Sequence, residues 1–438
     1  MSLEQIGPRL AAELVDLRLG LWEARHSLFA HYALYGIVLF ALALVATPFE
    51  RRVREWVIVA LGVASIMLLG SFGVGLAALV YSVCLWTTVE HVPGRGGVAL
   101  SVVLLIALAA YPWLLGDALA GNTSHMREFW SFATNVWWLR CIAYVVDRRA
   151  RGTPRRTLRE YLLATLFFPT FINGPIESTE QLAAHRRPGP AVGTWSELRD
   201  WLRLLGRSFV RFLWGSTKVM LGVLYLAQEN DTIFATGGLA VSHPRIWLWI
   251  VELYFTFYIV FSGWTDVALA LARPLGFDVM ENFDRPWRSR SVAEFWRRWH
   301  ISFGIWLREY IYIPLGGNRR HAAFNVLATF LVSGLWHVWG ALKVLGLEAY
   351  PPSAWLGFIV WGLMNGVAVV AGRWWANAPA LEPVRAALAT RLPSELRLRA
   401  AQAMAFGFVA IAWVPFFLPP WVDVSQCWQI LLRVLFIT

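Results

Sequence analysis

The sequence predicts an all-α polytopic membrane protein, because its composition is strongly apolar and long apolar runs recur along it. Of its 438 residues, 58% are hydrophobic and 15% are charged, whereas soluble domains are about 45–50% apolar and about 25% charged. The runs cover residues 28–47, 56–70, 74–89, 98–115, 136–146, 208–226, 246–271, 322–342, 355–371 and 403–418. With re-entrant segments included, we expect about ten to twelve helices in one integral domain, residues 1–438.

The first 26 residues differ from these runs, because they are polar with leucines at helical spacing. Leu10, Leu14, Leu17 and Leu21 fall on one face of a helix. We therefore predict that residues 1–26 form an amphipathic interfacial segment, and no cleavable signal peptide is evident.

The basic residues lie in the loops between apolar runs. The net charge is +11, but this distribution is typical of positive-inside topology and not of a nucleic-acid-binding face. The densest cluster, Arg148 to Arg159, predicts a cytoplasmic loop, and we expect the later clusters on the same side. These lie at residues 285–298, 319–320 and 385–399.

Residues 167–176 form an apolar run that is too short to cross a bilayer and is interrupted by Pro169, Gly174 and Pro175. Proline breaks a helix, and irregular backbone at membrane depth survives only inside protein or beside a wet cavity. The pattern predicts a re-entrant segment; an interfacial loop is the alternative.

Asp266 is a carboxylate near the end of a long apolar run, with Ser262, Gly263 and Thr265 beside it. Two interpretations remain open. It belongs to a structural polar cluster between helices, or it orients a catalytic group.

Residues 291–315 predict one amphipathic helix at the cytoplasmic interface. Phe295, Trp299, Trp306 and Tyr310 recur at helical spacing, so we expect these aromatic side chains to face inward and the arginines to face headgroups. His300 lies on the edge of the aromatic face.

His337 lies well inside the run 322–342. A lone histidine in a membrane helix is usually a packing residue, but Ser333, Gly334 and Gly340 leave space around it, and Asn365 adds a polar group at a similar depth. Together these residues indicate a candidate site within the bilayer.

The motifs around both histidines resemble those of the membrane-bound O-acyltransferase family, in particular its bacterial branch for alginate O-acetylation. The resemblance covers residues 130–433. Its motifs are Asn282-Phe283-Asp284-Arg285-Pro286-Trp287, Phe295-Trp296-Arg297-Arg298-Trp299-His300-Ile301-Ser302, residues 306–319, and Gly334-Leu335-Trp336-His337.

The resemblance implies a ring of tilted helices around a central funnel or tunnel and transfer of an acyl group, here expected to be acetyl, from a cytoplasmic thioester to a hydroxyl. It implies that His337 is catalytic and that His300 supports it. We also expect supporting or substrate-binding roles for the residues around them, namely Trp336, Asn365, Asp266, Trp299, Arg298, Asn282 and Ser302. The family usually has Gly-Ala where this chain has Val338-Trp339, a bulky pair expected to narrow the tunnel.

The chemistry also follows from the residue types. Hydroxyl attack on a thioester needs a base with a pKa near neutrality, and histidine has an ordinary value of about 6.5. A buried neutral imidazole at His337 would accept the proton, while Trp336, Asn365 or a backbone N–H are candidates for the oxyanion donor.

The implied donor is acetyl-CoA or an acyl-carrier protein. The sequence predicts no tightly bound cofactor, no metal site and no nucleic-acid partner. The resemblance implies a bacterial inner-membrane protein, in contact with membrane lipids, that acetylates an exopolysaccharide or envelope glycan directly or through an extracytoplasmic acetyltransferase partner. The alternatives are a D-alanyl or long-chain acyl transferase of the same family, and a transporter or flippase of glycan or lipid intermediates.

Overall fold

A computed structural model describes residues 40–41, 50–69, 72–114, 124–171, 173–187, 194–236, 242–349, 352–417 and 424–434. Within these ranges the secondary structure is helical, apart from isolated bridges such as Phe283 with Trp299. The predicted amphipathic segment 1–26 and almost all of the predicted run 28–47 lie outside the described residues.

The helices are labelled in chain order. They are α1 Arg51–Leu69, α2 Phe72–His91, α3 Gly94–Leu114, α4 Ser124–Arg149, α5 Leu158–Thr165, α6 Thr179–Ala184, α7 Trp195–Thr236, α8 His243–Ala272, α9 Val292–Arg298, α10 Ile301–Leu307, α11 Ala322–Ala349, α12 Pro352–Asn377, α13 Glu382–Arg391, α14 Ser394–Ala412, α15 Val414–Phe417 and α16 Val424–Val434.

Five helical stretches of the described chain are long and apolar enough to cross a membrane. They are Phe72–His91, His243–Ala272, Ala322–Leu342, Trp355–Asn377 and Ser394–Phe416, and the shorter apolar helix Gly94–Ala110 lies beside them. The apolar runs predicted at residues 246–271, 322–342 and 355–371 fall inside these stretches, so the pattern of the sequence located the spans around the site correctly.

Several helices pack against the next helix along the chain, and α11 against α12 is one of the most extensive pairs. Small residues allow the close approach. A Cβ added to Gly334 would lie 2.6 Å from the Phe358 carbonyl oxygen, and one added to Gly362 would lie 2.6 Å from that of Phe330. Gly334 therefore serves helix contact, which corrects the expectation that it leaves space around His337.

The aromatic spacing predicted one helix over residues 291–315. The segment is instead divided into shorter helices. It contains α9 and α10, which are separated at Trp299 and His300, and it continues into a π-helical turn at Arg308–Tyr312. His300 has a left-handed backbone, with φ 45° and ψ 54°, which ends one helix and begins the next. The side chains of Phe295, Trp299 and Trp306 are nevertheless buried, as predicted.

The predicted re-entrant segment 167–176 is irregular where it is described. A 3-10 turn at Phe168–Thr170 is buried, and Asn173 has a positive φ of 51°. The backbone N–H of Ile176 donates to Ser302 Oγ at 2.9 Å, so the broken segment is fixed to α10.

Candidate active site

The two histidines approach each other from different elements, with Phe303 between them. The Phe303 ring centroid lies 5.2 Å from that of His300 and 6.2 Å from that of His337. His300 begins α10, and His337 lies in the middle of α11. Both imidazoles are half-buried.

His337 is held in one tautomer by its own helix. Its Nδ1 lies 2.7 Å from the Ser333 carbonyl oxygen. Because a carbonyl oxygen only accepts hydrogen bonds, Nδ1 carries the proton of the neutral ring, and Nε2 keeps its lone pair. The arrangement leaves Nε2 as the proton-accepting atom.

Aromatic rings pack against His337. The ring centroids of Trp361, Phe416 and Phe358 lie 5.3 Å, 5.1 Å and 5.9 Å from that of the imidazole. These rings form an apolar wall beside the imidazole. Together with Phe303 and the hydrogen bond to Ser333, they fix the orientation of the imidazole ring.

His300 also lies among aromatic rings, with its centroid 4.6 Å from that of Phe261. Burial lowers the pKa of His300 below its ordinary value, and a charge on nearby His337 would lower it further. The two imidazoles therefore do not hold protons as a doubly charged pair, so His300 acts as a neutral group near pH 7.

Asn282 and Ser302 hold the turn that carries His300. The fully buried Asn282 accepts the Ser302 N–H on Oδ1 at 3.2 Å, and its carbonyl accepts the Ile301 N–H at 3.0 Å. Its Nδ2 reaches Thr265 Oγ1 of α8 at 3.4 Å. These bonds connect α8, the 282–284 loop and α10, so Asn282 and Ser302 position His300 without contacting it through their side chains.

Arg298 and Trp299 support the same turn from opposite sides. Arg298 lies at the surface and forms ion pairs with Glu294 at 3.0 Å and Asp284 at 3.1 Å. Trp299 is 3% exposed and stacks on Phe295 and Phe257. Their described contacts are structural.

Asn365 lies one helical turn beyond the wall of the site. Its Oδ1 accepts the Trp296 Nε1–H at 3.0 Å, and its Nδ2 donates to the Trp361 carbonyl at 2.8 Å. Asn365 therefore braces Trp361 and Trp296, and its described bonds do not include His337.

Trp336 and Trp339 face α4. The Trp336 indole stacks on that of Trp138 with centroids 5.3 Å apart and 7° between the planes, and Trp339 lies 4.8 Å from both rings. Val338 packs with Phe358. The bulky pair Val338-Trp339 thus fills helix interfaces beside His337.

Asp266 lies apart from the histidines, in an ion cluster between α7 and α8. Its carboxylate is 2.7 Å from Lys218 Nζ and 2.8 Å from Arg211, which also binds Glu281 at 2.8 Å. Lys218 Nζ donates further to Ser262 Oγ at 3.1 Å. Of the two interpretations of Asp266, these contacts favour the structural cluster.

The sequence prediction did not include Arg140 or Phe303 among the site residues, and it named Ser333 only as a small residue beside His337. Arg140 is 3% exposed on α4 and donates through Nη2 to Thr170 Oγ1 and to the Pro175 carbonyl, the latter at 3.2 Å, so it holds the broken segment. A charge inside the apolar run 136–146 was the signal for it. Ser333 acts through its carbonyl, which side-chain patterns do not reveal.

Residues 155–350 match the sequence model of the membrane-bound O-acyltransferase family. Nearly half of the chain is thus similar to this family. The match includes both histidines, α10 and all of α11, and with its apolar helices the chain is a multi-pass membrane protein.

Similar proteins are named as O-acetyl or D-alanyl transferases of alginate, peptidoglycan or teichoic acid. The probable alginate O-acetylase of Pseudomonas fluorescens is 34% identical over 48% of this chain and 44% of its own length. The peptidoglycan O-acetyltransferase of Helicobacter pylori is 29% identical over 59% and 43%. The teichoic acid D-alanyltransferase of Streptococcus thermophilus is 28% identical over 54% and 55%. The chain spans about half the length of these relatives.

Proposed function

We propose that this protein is a membrane-embedded O-acyltransferase that moves an acetyl group from a cytoplasmic thioester to a hydroxyl of an exopolysaccharide or envelope glycan. The observation that carries the proposal is the orientation of His337, whose Nε2 is left as a proton acceptor by the 2.7 Å contact of Nδ1 with the Ser333 carbonyl. The names of the relatives support the glycan acceptor, and we place the protein in the bacterial inner membrane.

In the proposed reaction, His337 Nε2 takes the proton of the acceptor hydroxyl while the hydroxyl oxygen bonds to the thioester carbon. The carbon–sulfur bond then breaks, and the proton passes from Nε2 to the thiolate. The ester and the free thiol are the products, and no net proton is gained or lost. A base that accepts one proton and returns it suits both steps.

We assign His300 a positioning role. It is neutral, it lies across Phe303 from His337, and its turn is fixed by Asn282 and Ser302. A neutral imidazole in this place donates one hydrogen bond and accepts another, which suits orientation of the donor carbonyl or of the acceptor hydroxyl. The acyl donor is acetyl-CoA or an acyl-carrier protein, and no tightly bound cofactor is part of the reaction.

Two variants of the proposal differ in the group moved and in its route. The D-alanyltransferase relatives favour an aminoacyl group as the second candidate. Direct transfer and relay to an extracytoplasmic acetyltransferase partner share the first step at His337, so both require the same geometry.

The test uses the purified protein in proteoliposomes that contain a glycan acceptor, with a thioester labelled on its acetyl group added outside or inside. We expect label in an ester on the glycan, or on a co-reconstituted partner, only when the thioester is on the side of the basic loops. A labelled D-alanyl thioester supplied in parallel separates the second candidate. Movement of glycan across the bilayer without any labelled ester would contradict the proposal and favour a transporter.

A further inference from the structure

A second site lies away from the histidines, where the end of α2, the start of α3 and the end of α4 meet. A cavity of about 290 Å³ opens there, and its lining includes Glu90, Gly94, Arg148, Arg149 and Arg155. It lies on the side of the protein where the 148–159 loop also contacts the π-helical turn, through Arg151 and the Glu309 carbonyl. This cavity is called the arginine pocket below.

The arginine pocket carries more positive charge than the protein neutralises. Glu90 is its one carboxylate, and it is already occupied by Arg148, with nitrogen–oxygen distances of 2.6 Å and 2.9 Å, and by the Tyr144 hydroxyl at 2.6 Å. Arg155 reaches the same carboxylate only at 3.7 Å. Three guanidinium groups therefore face one carboxylate.

Arg149 lies between the end of α2 and the first turn of α3. Its Nη2 donates to the carbonyl oxygens of Thr88 and Val92 at 2.8 Å and 2.5 Å, and a Cβ added to Gly97 would lie 2.6 Å from it. The guanidinium thus binds the C-terminal carbonyls of α2, which favour a cation, and lies beside the first turn of α3, whose N-terminus favours an anion. In the described part of the chain its buried Nε has no hydrogen-bond partner.

The surroundings of the arginine pocket are those of a lipid interface. The face of α3 that leads away from it exposes apolar side chains, among them Val98, Val103 and Ile106, which are 42%, 59% and 61% exposed. Trp86, one turn before Glu90, donates Nε1–H to the Arg156 carbonyl at 3.0 Å. Indoles so placed are typical of the headgroup level of a membrane.

We propose that the arginine pocket binds the phosphate of an anionic phospholipid, whose acyl chains lie along the exposed apolar face of α3. The guanidinium groups of Arg149 and Arg155 and the first turn of α3 would bind the phosphate oxygens, because arginine and helix N-termini both favour this anion. The lipid neutralises the charge that Glu90 leaves uncompensated. The site is independent of acyl transfer at His337.

The test is titration of the detergent-purified full chain with short-chain phosphatidylglycerol, with native mass spectrometry to count bound lipid. Phosphatidylcholine and inorganic phosphate serve as parallel ligands. We expect phosphatidylglycerol to bind in preference to phosphatidylcholine and to resist displacement by excess phosphate. Arg149→Gln and Arg155→Gln should each weaken binding about fivefold, whereas Arg391→Gln, at an exposed arginine of α13, should not.

Arg155 keeps the test decisive if Arg149→Gln fails to fold, because the Arg155 side chain is 77% exposed. Equal binding of both lipids, or unchanged binding in Arg155→Gln, would overturn the proposal. Displacement by inorganic phosphate would also overturn it, since the site would then be one for free phosphate.

Discussion

At the residue scale, the backbone and the imidazole ring of His300 have separate roles. The ring faces Phe261 and Phe303, while the left-handed backbone breaks the chain between α9 and α10. For most L-residues this conformation is unfavourable by about 1–2 kcal/mol, and for Asn the free-energy cost is smaller. A substitution at this position therefore has to be chosen to separate the two effects.

We predict that His300→Asn folds nearly as stably as the wild type but loses about tenfold to a hundredfold in acyl transfer, since orientation of the reactants is lost. His300→Ala should lose activity and also unfold at a lower temperature. Thermal unfolding in detergent and initial rates of transfer check both. Full activity in His300→Asn would remove the imidazole from the mechanism.

Ser302 offers a second test of the same turn, because its hydroxyl is the acceptor for the buried Ile176 N–H. Ser302→Ala leaves that donor without a partner, which costs about 1–3 kcal/mol. We expect a lower unfolding temperature and reduced transfer. Thr390→Ala, at an exposed hydroxyl that bonds only to its own helix, is the control and should change neither.

The residue types around the site were predictable, but their contacts were not. His300, His337, Asn282 and Ser302 stand in recognisable motifs, so the sequence identified them. The left-handed turn at His300 interrupts an aromatic spacing that reads as one helix, because the interruption is stabilised by Asn282 from a distant segment. Local periodicity carries no information about such a bond.

At the element scale, the close contact of α11 with α12 sets the distance between His337 and its aromatic wall. Gly334 and Gly362 lie on facing backbone, so a methyl group would push the helices apart. The apolar periodicity predicted both helices. It did not predict that these glycines form their contact surface.

We predict that Gly334→Ala destabilises the protein by about 1–3 kcal/mol through overpacking and lowers transfer by displacing Phe358 and Trp361 from His337. Gly372→Ala is the matched control in α12, because nothing lies within 4 Å of a Cβ there. Alanine favours a helix by about 0.5–1 kcal/mol over glycine, so this variant should be as stable as the wild type or more so. Unfolding temperatures and transfer rates of the two variants are compared; equal behaviour would contradict the account.

The ion cluster of α7 and α8 is expected to be structural. Asp266→Ala leaves Lys218 without its carboxylate, and unpairing a charge in such a setting costs about 3 kcal/mol. The double variant Asp266→Asn with Lys218→Met removes both charges and should recover expression and transfer. An inactive but well-folded double variant would instead show that the Asp266 carboxylate serves the reaction.

At the scale of the whole molecule, segments that carry the basic clusters contact one another. Arg151 contacts Glu309, the guanidinium of Arg373 lies 3.2 Å from the Tyr312 hydroxyl, and Gln402 donates to the Arg288 carbonyl at 3.0 Å. This arrangement agrees with the shared sidedness that the charge pattern predicted. The apolar runs predicted the membrane-spanning helices. They did not predict that α7 extends from Trp195 through the run 208–226, because this extension depends on the long packing contact of α7 with α8.

We predict that single cysteines at Arg155, Arg320 and Arg391 react with an impermeant maleimide only from the cytoplasmic side of the membrane, since positive charge is retained there. Labelling of intact cells and of inverted vesicles distinguishes the two sides. Reaction of any one of the three from the outside would contradict this topology.

The central claim is that His337 Nε2 is the base for acyl transfer, and the most direct measurement is the initial rate of labelled acetyl transfer by His337→Ala in proteoliposomes. The account predicts a loss of about a hundredfold to ten-thousandfold in protein that keeps its unfolding temperature. His321→Asn, at an exposed left-handed position where Asn is tolerated, should transfer at the wild-type rate. Wild-type transfer by folded His337→Ala would contradict the claim.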